Sequence, residues 1–202
     1  MIELSHKQTP VGEVRIAIRD EQLVGLAFLD GWPRIERHLS RWFPNEEILA
    51  ASRQTEVARR IDAYMVGELD ALDGIRPDTG GTDFQRRVWT AIRDVPAGQV
   101  LAYAKLALAV GAPNAVRAAG TACGANPIGL VIPCHRIVRA DGDLGNYGGG
   151  IERKEWLLAH ERPTLSLATA LSLKRASRLR SPDCRGRSPM SRQGGRLPCC
   201  DR

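Results

Sequence analysis

Apolar and polar side chains alternate through the opening segment of the chain. Val14, Ile16 and Ile18 take every second position, the period of a strand with one face in a core. A second apolar run extends from Gln22 to Leu29, and Arg19-Asp20-Glu21 between the two is suited to a turn. The period then changes. Ile35, Leu39 and Trp42 fall at helical spacing over residues 33–42, and Val57, Ile61, Tyr64, Met65 and Leu69 do so over 56–72. Gly74-Ile75-Arg76-Pro77 breaks the pattern and marks a linker. These spacings predict a small α/β unit over residues 1–76.

Helical periodicity dominates the second half of the chain. Phe84, Val88, Trp89 and Ile92 share one face, Thr82-Asp83 supplies an N-cap region, and Val95-Pro96-Ala97-Gly98 ends the helix. Residues 102–110 predict a second helix and Gly111-Ala112-Pro113 a tight turn. Residues 114–124 predict a third helix, with Asn114 as its N-cap. Two short helices about a glycine-containing turn form a helix-turn-helix pattern. The apolar run holding Ile132-Pro133-Cys134-His135-Arg136 predicts a strand, and Lys154 and Glu161 fall in a last helical stretch. Beyond Glu161, Ser, Arg, Pro and Gly take over and no apolar period persists, so residues 162–202 are expected to be a disordered tail.

Composition adds limits. The 202 residues, 43% hydrophobic, suit one domain or two small ones sharing an interface. No stretch approaches the roughly 20 apolar residues that span a bilayer, and the N-terminus lacks the apolar segment of a signal peptide. A cytoplasmic protein with no membrane partner is expected. The net charge of +6 invites a nucleic-acid reading, yet its placement weakens it. Of 29 Lys/Arg, ten lie in 162–202, leaving nineteen; of 23 Asp/Glu, two lie there, leaving twenty-one. The tail therefore carries +8 and the remainder −2.

The cysteines divide the same way. Cys184, Cys199 and Cys200 lie in the tail, and only Cys123 and Cys134 in the body. Neither a disulfide framework nor a zinc site fits, so no metal is expected. A Cys followed by His is instead a candidate nucleophile with its base, because the thiolate is the reactive form and imidazole the usual proton acceptor. Without further context Cys134 would be a small buried apolar residue, Tyr103 core packing, and Arg117 a solvated helix residue. Cys123 is expected only to pack, and His160 to lie at the surface.

One ordered set of motifs supplies that context. Gly81-Thr82-Asp83-Phe84-Gln85, Val88-Trp89, Pro96-Ala97-Gly98, Tyr103, Arg117-Ala118-Ala119-Gly120, Asn126-Pro127, the Pro-Cys-His-Arg core, Tyr147-Gly148-Gly149-Gly150, Lys154 and Leu157-Leu158-Ala159-His160-Glu161 follow one another over 81–161. In this order they resemble the O6-alkylguanine-DNA alkyltransferases. The resemblance implies an α+β fold: a ribonuclease H-like α/β unit over 1–76, then a mainly helical, winged helix-turn-helix-like domain over 77–161.

It further implies DNA repair by a methyl- or alkyltransferase that works once. A monomer without cofactor would bind double-stranded DNA carrying O6-alkylguanine, or O4-alkylthymine, and flip the base out of the stack. Cys134 would then take the alkyl group irreversibly. His135 would be the base acting through a water, with Glu161 behind it as in Cys-His triads. Tyr103 would donate a proton to the departing base, Asn126 would tie the turn before Cys134 to the recognition helix, and Lys154 would support the site. DNA contacts would come from Arg117, Tyr103, Ala115, Ala118 and Thr121, with Tyr147, Gly148 and Gly149 walling the base pocket. Two positions depart from the family: Ala102 and Gly148 stand where relatives carry Ser. Two other functions share some of these features. A lesion-binding protein without chemistry would not need Cys134, and a Cys-His-Glu hydrolase would need an oxyanion hole, for which the sequence offers no motif.

Overall fold

A computed structural model describes residues 1–51 and 53–162. The fold is mixed α+β. Strands β1 (Ile2–Thr9), β2 (Gly12–Arg19) and β3 (Gln22–Phe28) form an antiparallel meander, and β4 (Ile48–Ala50) adds parallel to β1. The order is β3-β2-β1-β4. The turn at Asp20 and Glu21 puts both residues at positive φ, which matches the twist of the hairpin it closes. A register shift at Ala17/Ile18 interrupts the alternation.

Strands β2 and β3 carry buried residues on both faces of this sheet. Ala17 and Val24 meet Trp32, Ile35 and Leu39 of α1 (Trp32–Trp42) on one face. Gly25 allows the helix to lie this close, since a β-carbon there would stand 2.8 Å from Ile35 Cγ2. On the other face Val14, Ile16, Leu26 and Phe28 join the main core, which also takes Ile61 and Tyr64 from α2 (Glu56–Met65). That core continues through Trp89 and Ile92 to Ile132 and Leu157, so residues from both sides of position 76 share it.

The later elements are α3 (Asp83–Arg93), β5 (Leu101–Ala102), α4 (Tyr103–Ala109), α5 (Val116–Gly124), β6 (Ile137–Val138) and α6 (Ile151–His160), with β5 and β6 paired in parallel. Thr82 and Gln85 form a full capping box at the start of α3, satisfying two otherwise orphaned N–H groups.

Four expectations are corrected. The helix expected over 56–72 ends at Met65, because Val66 leaves helical geometry and Gly67 takes φ +108°; Leu69 and Leu72 still pack inward, from turns. The third helix begins at Val116 with Ala115 as N-cap, and exposed Asn114 does not cap it. Cys134 lies on no strand: Cys134–Arg136 is a single 3-10 turn. The segment at 74–77 is pinned, for Leu23 donates its N–H to Arg76 O at 2.9 Å and accepts from Asp78 N at 2.9 Å. The tail over 162–202 lies, from residue 163, outside the described residues.

Candidate active site

The position of Cys134 is set by the chain that leaves α5. Asn126 comes just after the helix, and its Oδ1 accepts from Ile128 N at 3.0 Å, an Asx turn that reverses direction. Its Nδ2 donates to Ile132 O at 2.8 Å and to Cys134 Sγ at 3.2 Å. Leu130 holds φ +64° inside this loop, a strained conformation for a side chain of its size. Pro133, at φ −79° and ψ 63°, then makes an inverse γ-turn, and Cys134 N donates to Ile132 O at 2.7 Å. Proline fixes that φ and lacks the N–H a strand would need. These turns present a half-buried Cys134 at a pocket of about 220 Å³.

Tyr103, Asn126, Tyr147, Gly148 and Gly149 line the same pocket. Tyr103 lies over Gly120 of α5, 3.7 Å from where a β-carbon would sit. Burial pushes its phenol up to about 12, so Tyr103 carries its proton at neutral pH. Burial also raises the Cys134 thiol, although Asn126, Lys154 and Arg34 each oppose this. The resting group is therefore a thiol and needs a base.

Behind the thiol lies a buried polar cluster. His135 is fully buried, and its Nε2 meets Glu161 Oε1 at 2.9 Å. An ionised carboxylate only accepts, so Nε2 bears the hydrogen and Nδ1 keeps its lone pair. Among the described residues Nδ1 has no partner. Burial disfavours the imidazolium and lowers the pKa of His135, against the opposing effect of Glu161. Burial alone would raise Glu161, but hydrogen bonds from His135 and Arg136 hold it well below the usual carboxylate range. Lys154, also fully buried, donates to Ile137 O at 2.6 Å and to Leu144 O, joining β6 to the loop before Tyr147.

Of the expected DNA-contacting residues Tyr103 lines this pocket, and those of α5 fall outside it. Arg117, Ala118 and Thr121 are exposed on α5 and Ala115 is half-buried at its start, while Gly120 and Cys123 of that helix reach the pocket. His160 is half-buried and engaged in the fold: it stacks on Trp156 at 4.8 Å and donates from Nε2 to Tyr64 O at 2.8 Å.

Three further residues belong to the site although no role was expected of them. Arg136 binds Glu161 through two nitrogens, at 2.9 and 2.7 Å. Tyr64 donates its hydroxyl to Glu161 Oε1 at 2.7 Å. Arg34, from α1, lines the pocket and donates to Asn126 O at 3.0 Å, with its other terminal nitrogen buried and unpartnered among the described residues. The Pro-Cys-His-Arg core contains Arg136, and that is the signal that could have found it. Tyr64 and Arg34 lie far from it along the chain; Tyr64 shows only a helical period, and Arg34 falls outside the apolar period of its helix.

Among the described residues no three His, Cys, Asp or Glu stand close enough to hold a metal, and no helix is long and apolar enough to cross a membrane. Residues 83–163 match the family described as 6-O-methylguanine DNA methyltransferase, DNA binding domain. The methylated-DNA–protein-cysteine methyltransferase of Salmonella typhimurium is 41% identical over 157 residues, covering 76% of this chain and 91% of that protein. The protein of the same name from Mycolicibacterium paratuberculosis is 41% identical over 162 residues, covering 80% and 93%. The crystal structure of Mycobacterium tuberculosis O6-methylguanine methyltransferase superposes with a TM-score of 0.69 at 34% identity, over 83% of this chain and 98% of that one. A crystal structure of Mycobacterium tuberculosis OGT in complex with DNA gives 0.66 at 33% identity, over 80% and 92%.

Proposed function

The chain belongs to the methylated-DNA–protein-cysteine methyltransferase family, which repairs DNA by moving an alkyl group onto a cysteine of the protein, and we propose that Cys134 is that cysteine. The observation carrying this assignment is the placement of Cys134 in a narrow pocket, with Asn126 Nδ2 donating a hydrogen bond to its sulfur and its chain neighbour His135 buried in a pair with Glu161. The substrate is double-stranded DNA carrying O6-alkylguanine, or O4-alkylthymine, and a single protein molecule acts.

The reaction begins with a proton. Cys134 gives up its proton through one bridging water to His135 Nδ1, the nitrogen without a partner among the described residues. Glu161 stabilises the imidazolium that forms. The thiolate sulfur attacks the alkyl carbon, an S–C bond forms, and the C–O6 bond breaks with its electron pair going to the base. Tyr103 donates a proton to the departing ring. The product is a thioether, which water does not cleave as it would a thioester, so each molecule reacts once.

The base must leave the duplex to reach this pocket. We assign α4 and α5 to a winged helix-turn-helix that presents the exposed side of α5 to the minor groove. Arg117 fills the gap left by the flipped base. Small residues at 115, 118 and 120 allow close approach. Tyr147, Gly148 and Gly149 wall the pocket. The N-terminal sheet with α1 and α2 is taken as a ribonuclease H-like unit over 1–76, the catalytic and DNA-binding part as 77–161, and the remainder as a basic tail.

Mass spectrometry after incubation with a duplex containing O6-methylguanine tests this directly. One methyl group is expected on Cys134, and none on the C134S variant. Turnover, or a methyl group on another residue, overturns the assignment.

A further inference from the structure

The Cys134–His135–Glu161 arrangement draws on residues near the C-terminal end of the described chain, yet one of its closest contacts comes from the N-terminal part. Tyr64, in the last turn of α2, is buried, and its hydroxyl donates to Glu161 Oε1 at 2.7 Å. This is the same oxygen that faces His135 Nε2 at 2.9 Å and Arg136 Nη2 at 2.7 Å. The other oxygen, Oε2, takes Arg136 Nε at 2.9 Å and the backbone N–H of Gly98 at 3.4 Å. Three donors therefore share the oxygen that orients the base, and Tyr64 contributes the only hydroxyl among them.

Tyr64 is also held from behind. Its backbone carbonyl accepts from His160 Nε2 at 2.8 Å, and its ring meets the His160 ring edge-on at 5.3 Å. His160 thus holds the backbone and ring of Tyr64, while the hydroxyl is held by Glu161. A hydrogen bond to a carboxylate withdraws charge from it, and what is withdrawn no longer acts on the imidazole.

We propose that Tyr64 is a positioning residue for the alkyl transfer: by occupying Glu161 Oε1 it sets how strongly Glu161 stabilises protonated His135. This rests on the reading of His135 as the proton acceptor of Cys134. The groups facing the pair are Tyr64 from α2, Arg136 from the 3-10 turn, Gly98 N–H before β5, Lys154 from α6, and the Tyr147 ring, 6.4 Å from His135. Removing the Tyr64 hydroxyl leaves two donors on Oε1 and concentrates the carboxylate's charge on Nε2–H. The imidazolium is then favoured, so His135 holds its proton to higher pH and loses its capacity to accept one there.

The test is the pH dependence of Cys134 methylation by an O6-methylguanine duplex, in the wild-type protein and in Y64F. The acid limb of the rate profile is expected to move upward by roughly half a unit to one unit in Y64F, the scale on which one hydrogen bond to a charged group shifts a neighbour. In the C134S background, 15N NMR of the imidazole should place the His135 titration higher with Y64F by the same amount. H160F, which removes the contact to the Tyr64 backbone but keeps the hydroxyl, should leave the limb in place. A uniform fall in rate with an unmoved limb overturns the proposal and makes Tyr64 a packing residue, as does unfolding of Y64F. A wild-type protein methylated at Cys134 with no acid limb would overturn the proton-relay reading itself.

Discussion

At the scale of single residues the site is organised around one buried carboxylate. Glu161 is 1% exposed and accepts from His135, Tyr64, the two Arg136 nitrogens and Gly98 N–H. A buried ion pair contributes little against an apolar replacement of both partners, but removing one partner strands the other charge. E161Q is therefore expected to destabilise the protein by about 3–5 kcal/mol, read as a lower denaturant midpoint with an unchanged slope, because Arg136 remains buried.

The direction with pH comes from two depressed values. Burial keeps His135 neutral in the folded protein, so stability is full above the unfolded-state value of about 6.5 and is lost as pH falls below it. Glu161 is also lowered, its hydrogen bonds from His135 and Arg136 outweighing burial, so its contribution is present above about 4.3 and lost in stronger acid. Stability measured by denaturant titration should fall in two stages as the solution is acidified. E161Q should lack the second stage; retention of both would show that other carboxylates carry it.

At the scale of elements, the legible parts of the sequence were those with a period. Val14 and Ile16 on a strand, Ile35 and Leu39 on α1, and Val88, Trp89 and Ile92 on α3 are all buried, as their spacing requires. The segment bearing Cys134 has no period. Its apolar residues suggested a strand, but Asn126 turns the chain back, Leu130 sits at positive φ, and Pro133 supplies a γ-turn. Such turns depend on side-chain to backbone bonds that hydrophobic spacing does not encode. Tyr64 illustrates a second limit: its spacing correctly marked a core-facing position, and nothing local revealed that Glu161 would meet its hydroxyl.

The pocket loop gives a prediction at this scale. A β-carbon at Gly149 would lie 2.7 Å from Tyr147 Cε1 and 2.8 Å from Phe28 Cδ2, so the loop and β3 approach too closely for any side chain. G149A must displace one ring or the other, and overpacking of this kind costs about 1–3 kcal/mol. If that strain falls on the pocket wall, transfer to Cys134 should slow roughly tenfold or more, since about 1.4 kcal/mol is a factor of ten. The loss should be greater for an O6-benzylguanine duplex than for the methyl adduct. Equal losses for both adducts would indicate damage to the fold rather than to the wall.

For the whole molecule, the pocket exists because the two parts of the chain are joined along β3. Leu23 pairs with the chain at Pro77 and Leu26 with the chain at Ile128, so the outer edge of the N-terminal sheet is covered by the segments that lead into α3 and away from α5. Phe28, Gly31 and Arg34 consequently line the same pocket as Cys134. DNA must then be held by a body whose charge over residues 1–161 is −2, while residues 162–202 carry +8. Arg117 is the sole charged residue of α5. Each phosphate neutralised adds about 0.9 to the slope of log affinity against log salt. A chain ending at residue 162 should therefore bind duplex DNA with a slope flatter by about one unit or more, yet methylate Cys134 at an unchanged rate once DNA is saturating. R117A should do the reverse: its slope changes by about one unit at most, while repair of duplex slows more than reaction with free O6-benzylguanine. If truncation slows the saturated reaction, residues 163–202 serve the chemistry as well as the attraction. If R117A slows both substrates equally, the residue serves the pocket and not the opening of the duplex.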